Sequence, residues 1–409
     1  MKLFDELKWR GLINDMTSPE LETKLNEGGL TFYIGTDPTG ESLHIGHLSS
    51  LLMAKRLKEH GHHPIMLVGG ATGFIGDPKA TGERSMLTRE RLQHNYDCLR
   101  KQIDAIFGFE MVNNLDWTKD ITVIDFLRDY GKHFNINYMI NKDTVKRRLD
   151  SGISYTEFSY MILQALDFLH LYEAHNCTLQ LGGQDQWGNI TSGLELIRKK
   201  HGAEVACYGL TMPLITKADG TKFGKSESGT VWLDRSMTSP YAMYQFLVNS
   251  EDEKVIDYLK RLTFLDKEII DDLEAKVKSE PHKREAQKVL AREVVLFLHG
   301  EAELNKAMKI TDAFFKGNIL DLSEDEAADA FNNFDKIEMP DNLSLLDLMV
   351  QAKIASSKRE AREWIAQGSI QVNGVKVQDQ EFIVSKANAL AECCTLIKRG
   401  KRNYYVIKQ

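Results

Sequence analysis

Residues 30–70 read LTFYIGTDPTGESLHIGHLSSLLMAKRLKEHGHHPIMLVGG. The run TFYIG is aromatic and β-branched and so favours a strand, while Thr36 to Gly40 supply turn formers. From His44 the apolar residues recur at helical spacing until Gly61, and a second apolar run, PIMLVGG, follows at once. Strand, helix and strand in this order make a βαβ unit and predict a parallel sheet covered by helices. Such sheets bind ligands where the carboxyl ends of strands meet their loops. The runs CTLQLGG (177–183) and VACYGLTMPLI (205–215) continue the same alternation.

Beyond Pro240 the sequence becomes helix-dominated, as in KREAQKVLAREVVLFLHG (283–300). Residues 336–344, KIEMPDNLS, read as a linker into a small domain. That domain has a helical stretch, a strand pair IQVNGVKV turning at Asn373-Gly374, and a final basic strand TLIKRGKRNYYVIK. The expected architecture is α/β: a Rossmann-like parallel-sheet domain (1–238), a helical domain (239–335) and a small α+β domain (336–409).

At 409 residues and 42% hydrophobic content, the chain can bury more than one core. Its net charge of -7 argues against a protein that coats nucleic acid or anionic membrane with its whole surface. The charge is unevenly spread. From residue 341 onward 11 Lys and Arg face 7 Asp and Glu, whereas the preceding residues carry 41 against 52. A local polyanion contact in the last sixth is therefore expected. Five cysteines without CxxC spacing fit neither a disulfide framework nor a zinc ribbon. With a charged N-terminus and no long apolar window, the expectation is a cytoplasmic protein that does not span a membrane.

Four stretches carry possible chemistry. His44 and His47 can share one face at a helix start, where free N–H groups favour an anion, and Gly46 leaves room for a flat ring. The same pair also reads as ordinary surface histidines, and a metal would need a third ligand. In ADGTKFGKSESG (218–229) two lysines sit among glycines and serines. A P-loop is excluded because GTKFGKS is one residue too short, leaving a mobile phosphate-covering loop or a solvated charged loop. LQLGGQDQWGN (179–189) ends an apolar strand in two glycines and polar groups that suit a ribose or an amine, or an ordinary turn. FSYMILQALDF (158–168) lines Tyr160, Gln164 and Asp167 along one helix face, where buried polar groups need a ligand or each other.

Taken together, FYIGTDPTGESLHIGH, GGATGFIGDP, the Tyr160/Gln164/Asp167 helix, GGQDQWGN and KFGKS resemble, in order and separation, the bacterial tyrosyl-tRNA synthetases of class I. The resemblance covers essentially the whole chain, and the small domain resembles an RNA-binding fold shared with a small-subunit ribosomal protein. It implies that His44 and His47 hold the ATP phosphates, with Gly46 beneath the adenosine. Lys222, Lys225 and Ser226 would occupy the second signature loop, from which this sequence departs at Phe223 and Gly224. Tyr33 and Asp167 would meet the phenol of the substrate, Asp77, Tyr160 and Gln164 its ammonium, and Gln180 would lie close by. Gly35, Asp37, Thr39, Ser50, Gly183, Asp185 and Gln186 would line the ATP and adenylate site.

The resemblance further implies L-tyrosine, ATP with Mg²⁺ and tRNA(Tyr) as substrates, with no tightly bound cofactor and no protein metal site. Lys358, Arg359, Arg362, Lys398, Arg399, Lys401 and Arg402 would bind tRNA backbone, and Lys79 and Arg84 are candidates for phosphate or acceptor contact. It also implies a homodimer, for which the apolar segment 126–140 is the expected interface. Rival readings are another class I specificity such as tryptophan, a related adenylyltransferase, and an RNA-binding paralogue without catalysis. An indole offers only one donor and does not require the Tyr33/Asp167 pair.

Overall fold

The computed structural model describes all residues except 79–85, 147, 151, 227–228, 317, 333 and 401–402, and leaves the side chains at 143–144 and 225–226 undescribed. Lys79, Arg84, Lys401 and Arg402 thus lie outside the described residues, as do the side chains of Lys225 and Ser226. The described chain forms two compact units: 1–225 with 230–234 and 251–286, and 226–229 with 235–250 and 287–409.

The first unit is built on five strands: β1 (Thr31–Thr36), β2 (His63–Val68), β3 (Glu110–Asn113), β4 (Cys177–Gly183) and β5 (Tyr208–Met212). They pair in the order β3-β2-β1-β4-β5, and every pairing is parallel. The βαβ unit at 30–70 is present as read, with the helix Ile45–Glu59 between β1 and β2. Strand order reverses between β1 and β4, where adjacent loops leave in opposite directions and open a crevice. Register places Tyr33 of β1 opposite Gln180 of β4. The sheet is buried on both faces, and the helices Tyr155–His175 and Trp187–His201 pack Phe168, Leu169, Ile190 and Leu194 into one core with Tyr33 and Ile65. As in most parallel sheets, the strands read as near-continuous apolar runs.

The second unit holds helices Pro240–Val248 and Glu324–Phe331, most of helix Glu285–Lys316, and the small C-terminal sheet. Helix Glu285–Lys316 is interrupted at Gly300, whose φ of 82° is outside the helical region, so the pattern read to end there resumes beyond it. Two further readings are corrected. The basic C-terminal strand is a hairpin, Cys394–Arg399 against Asn403–Lys408, because Gly400 adopts a φ of 62° and reverses the chain. Within the expected linker, Lys336–Glu338 pairs parallel with Asn403–Lys408, and Leu343–Ser344 pairs with Ile383–Val384. The Asn373-Gly374 turn is as read: both residues have positive φ, at 50° and 81°, between Ile370–Val372 and Val375–Lys376. No described helix is long and apolar enough to cross a membrane.

Candidate active site

At the carboxyl ends of β1 and β4 lies a cavity of about 420 Å³. It is lined by Tyr33, Gln180, Asp167, Tyr160, Gln164 and Asp77, and by His44, Gly46, His47, Thr39 and Lys222. Gly35, Asp37, Ser50, Gly183, Asp185 and Gln186 line it as well. Every described side chain expected at the amino-acid and nucleotide sites is therefore brought to one cavity.

The histidines sit there for a local reason. His44 is the N-cap of helix Ile45–Glu59, and its side chain forms a reciprocal capping box with His47. Gly46 N donates to His44 Nδ1 at 3.1 Å, and His44 N donates to His47 Nδ1 at 3.2 Å. Because both Nδ1 atoms accept, the ring protons reside on Nε2, and each neutral ring is a donor through that nitrogen. The rings stack with centroids 3.8 Å apart. Burial first, then the proximity of His44 and Lys222, which disfavours a positive charge there, push His47 down to about 3, so it stays neutral at ordinary pH. A Cβ at Gly46 would come within 2.8 Å of the His44 ring and 3.2 Å of Phe223 O, which explains glycine there.

The remaining polar side chains form two hydrogen-bonded groups. Tyr160 Oη donates to Asp37 Oδ2 at 3.1 Å, and Thr72 Oγ1 donates to Asp37 Oδ1 at 2.7 Å. Asn114 Nδ2 reaches both Thr72 Oγ1 at 3.0 Å and Asp167 Oδ2 at 2.9 Å, while Trp117 Nε1 donates to Asp167 Oδ1 at 3.0 Å. Gln186 Nε2 donates to Asp77 Oδ2 at 3.0 Å and Gln164 Nε2 to Gln186 Oε1 at 3.3 Å. Burial pushes Asp167 up to about 7 against the opposing pull of Asn114 and Trp117. Burial and then Asp167 push the Tyr33 hydroxyl well above the usual tyrosine range.

Tyr33 Oη, Gln164 Oε1 and Gln180 Oε1 are buried without a hydrogen-bond partner. Buried polar atoms left unmade cost about 1–3 kcal/mol each, so three of them lining one cavity ask for a polar ligand. The sequence reading missed Asn114, Trp117 and Thr72, which hold the two carboxylates. The available signal was their place, directly after the carboxyl ends of β3 and β2.

In the small domain Lys358 pairs with Asp347 at 2.5 Å, and Arg359 and Arg362 are exposed on the same helix, Lys358–Ala366. Arg399 donates to Ile354 O at 3.0 Å and lies 4.5 Å over the Trp364 ring, and Lys398 lies 5.0 Å over Tyr404.

The family model for tRNA synthetases class I (W and Y) matches residues 25–316. The chain belongs to that family. A second model, the tyrosine–tRNA ligase SYY-like C-terminal domain, matches residues 326–407. Among curated class I relatives, the tyrosine–tRNA ligase of Staphylococcus carnosus (strain TM300) is 50% identical over 416 residues, spanning 100% of this chain and 99% of that protein. Tyrosine–tRNA ligase 2 of Bacillus cereus (strain ATCC 10987 / NRS 248) is also 50% identical, with both chains covered fully. Of the solved class I structures, a C-terminally truncated mitochondrial tyrosyl-tRNA synthetase from Aspergillus nidulans matches with a TM-score of 0.68 and 29% identity, covering 77% of this chain and 94% of that one. A tryptophanyl-tRNA synthetase from Encephalitozoon cuniculi shares the fold at a TM-score of 0.56 and 14% identity, covering 74% of this chain and 87% of that one. This class I synthetase is thus an ATP-using enzyme whose fold alone does not separate tyrosine from tryptophan.

Proposed function

We propose that this synthetase is a tyrosine–tRNA ligase: it activates L-tyrosine with ATP to tyrosyl-adenylate and pyrophosphate, then esterifies the 3′-terminal ribose of tRNA(Tyr). The observation that carries the specificity is the buried, unpartnered Tyr33 hydroxyl in the cavity it shares with Asp167. A phenol both accepts and donates, so it pairs a hydroxyl and a carboxylate at once, whereas an indole N–H only donates. Phenylalanine would leave both buried groups unpaired.

In this reading the ammonium of tyrosine sits among Asp77, Tyr160 and Gln164, with Gln180 nearby. Gly35, Asp37, Thr39, Gly46, Ser50, Gly183, Asp185, Gln186 and Ser226 form the nucleotide site. The tyrosine carboxylate attacks the α-phosphate in line, the P–O bond to pyrophosphate breaks, and no covalent protein intermediate forms. The Nε2–H groups of His44 and His47, with Lys222 and Lys225, neutralise charge as it develops on the phosphates. Mg²⁺ arrives on the nucleotide and supplies further charge neutralisation.

The division of labour we infer assigns chemistry to residues 1–238, anticodon contact to 239–335 and RNA-backbone binding to 336–409. Lys358, Arg359, Arg362, Lys398, Arg399, Lys401 and Arg402 face the tRNA backbone, with Lys79 and Arg84 near its acceptor end. The enzyme works in the cytoplasm as a homodimer. Val123, Ile124, Leu127, Ile136 and Tyr138 support the dimer: these large apolar residues are exposed, four of them by half or more, along one short segment of the first unit.

The deciding experiment is ATP–pyrophosphate exchange with each of the twenty amino acids. Exchange with tyrosine alone supports the reading; exchange with tryptophan, or none at all, overturns it.

A further inference from the structure

Helix Asp252–Leu262 buries Val255, Tyr258, Leu259 and Leu262, one apolar stripe at helical spacing. Against this stripe lies the hairpin that carries Lys222. Phe223 N donates to Ile215 O and Lys217 N to Thr221 O, closing the hairpin. The Tyr258 ring lies 4.4 Å from that of Phe223, and its hydroxyl donates to Thr216 O at 3.0 Å. Both aromatic residues are nearly inaccessible, at 1% and 4% exposure. The same helix adds three contacts along the hairpin and the segment before it: Ala218 N to Glu251 Oε2 at 2.7 Å, Lys254 Nζ to Thr216 Oγ1 at 3.4 Å, and Arg261 Nη1 to Pro213 O at 3.2 Å.

The far end of this helix is fixed to the helix that the histidines begin. Arg10 donates to Lys260 O at 2.9 Å, Thr263 O at 3.2 Å and Leu265 O at 2.9 Å. Arg56, on helix Ile45–Glu59, also donates to Thr263 O and lies 4.6 Å over the Phe264 ring. Two buried guanidiniums thus satisfy carbonyls at a helix C-terminus, where cations are favoured. At the opposite side the hairpin meets the histidine end directly. Gly224, at φ 101°, approaches so closely that a Cβ there would fall 2.9 Å from Ile45 Cγ2.

We propose that Tyr258 is a positioning residue for adenylate formation, seating the Lys222 hairpin against the His44–His47 helix end before the nucleotide arrives. The C-terminal end of helix Asp252–Leu262 is joined by Arg56 to the last turn of the helix that the histidines begin, and its Tyr258 to the Lys222 hairpin, so it helps to set the distance between the phosphate donors. A packed aromatic contact fixes a loop better than solvent-exposed polar contacts, and misplacing a charged group by about 1 Å can cost about 10²-fold in rate. Tyr258 lines no part of the cavity and acts only through the hairpin.

The kinetic part of this inference rests on tyrosine activation as proposed above; the seating of the hairpin does not. The test compares wild type, Tyr258→Leu and Tyr258→Phe by tryptic cleavage after Lys217 and Lys222, by single-turnover adenylate formation and by equilibrium tyrosine binding. Tyr258→Leu is expected to be cleaved in the hairpin at least fivefold faster and to form adenylate about 10- to 100-fold more slowly, with tyrosine affinity within twofold. Tyr258→Phe keeps the ring and loses one hydrogen bond, so about a threefold loss of rate is expected. Unchanged cleavage or unchanged rate in Tyr258→Leu overturns the proposal, as does a tyrosine affinity that falls in step with the rate. Should the leucine variant not fold, a phenylalanine variant indistinguishable from wild type in both cleavage and rate overturns it. If wild type shows no tyrosine-dependent activity, the functional reading fails while the cleavage comparison still decides the seating.

Discussion

The indole nitrogen of Trp117 donates to Oδ1 of Asp167 at 3.0 Å. Asn114 Nδ2 donates to the other oxygen, Oδ2, at 2.9 Å, so the carboxylate that faces the proposed phenol is held in one orientation by two neutral donors. This arrangement gives Asp167 a role that its burial alone would oppose, because each donor favours the ionised form.

Trp117→Phe removes one of these donors while keeping an aromatic ring. A hydrogen bond to a charged group contributes roughly 1.5–3 kcal/mol, so kcat/KM for tyrosine is expected to fall about 10- to 100-fold. The loss should lie mainly in KM, since Asp167 meets the substrate in the ground state as well as the transition state. Steady-state exchange kinetics with tyrosine varied at saturating ATP would measure it, and a pure kcat effect would refute this role.

The pH dependence of stability follows from the raised pKa of Asp167. Burial holds the folded carboxyl at about 7, while in the unfolded chain it titrates near ~3.9. Below ~3.9 both states are protonated and the favourable contribution is fully present. As pH rises toward about 7 the unfolded chain releases its proton and the folded chain does not, so stability is lost and then levels off. The unfolding free energy of wild type minus that of Asp167→Asn is therefore expected to decrease between about pH 4 and 7. Urea titrations of both ligand-free proteins across that range give the sign directly; an increasing difference would contradict the burial argument.

Much of this site was legible in the sequence, and the omissions share a physical cause. Tyr160, Gln164 and Asp167 on helix Tyr155–His175, and His44 and His47 at the start of helix Ile45–Glu59, stand at helical spacings that counting can assign, whereas Tyr33 of β1 and Gln180 of β4 lie in near-continuous apolar strands and were placed by the resemblance alone. Asn114 and Trp117 stand in the short stretch after β3, where no period assigns a direction and a lone tryptophan reads equally as core. His44 and His47 form a capping box that shapes the helix end on which they stand. In the small domain the strand Lys336–Glu338 was unreadable because its partner, Asn403–Lys408, is remote in sequence and only tertiary pairing makes the segment extended. The hairpin turn at Gly400 hid inside a basic run, where charge distracted from the glycine.

Tyr33→Phe is the direct test of amino-acid selection. Removing a hydroxyl that has no partner within the protein costs the fold little, but it deletes one of two groups that distinguish a phenol from a phenyl ring. The ratio of kcat/KM for tyrosine over phenylalanine is expected to fall by about 10- to 100-fold, chiefly through weaker use of tyrosine. Competition in pyrophosphate exchange between the two amino acids reads this ratio. An unchanged ratio would show that Tyr33 does not meet the substrate ring substituent.

His47, held neutral with its pKa near 3, should act as a fixed donor and not as a titrating acid. His47→Ala is expected to slow adenylate formation about 10²- to 10³-fold, the usual cost of losing one preorganised donor, whereas His47→Asn, which keeps an N–H, should retain more of the rate. The pH profiles of wild type and His47→Asn are expected to have the same shape between about pH 5 and 9. A wild-type inflection in that range that disappears in the asparagine variant would show that the histidine titrates during the reaction.

Arg359 and Arg362 test the proposed RNA surface without disturbing the catalytic unit. Both are exposed on helix Lys358–Ala366, so alanine there leaves no buried polar group unpaired. If each neutralises one tRNA phosphate, the double variant should weaken tRNA binding at low salt and reduce the slope of log affinity against log salt by about 1 per arginine. Pyrophosphate exchange, which needs no tRNA, should be unchanged, and aminoacylation should fall through KM for tRNA. Filter-binding at several salt concentrations measures the slope; a parallel line displaced from wild type would point to lost fold or shape in this domain in place of lost phosphate contacts.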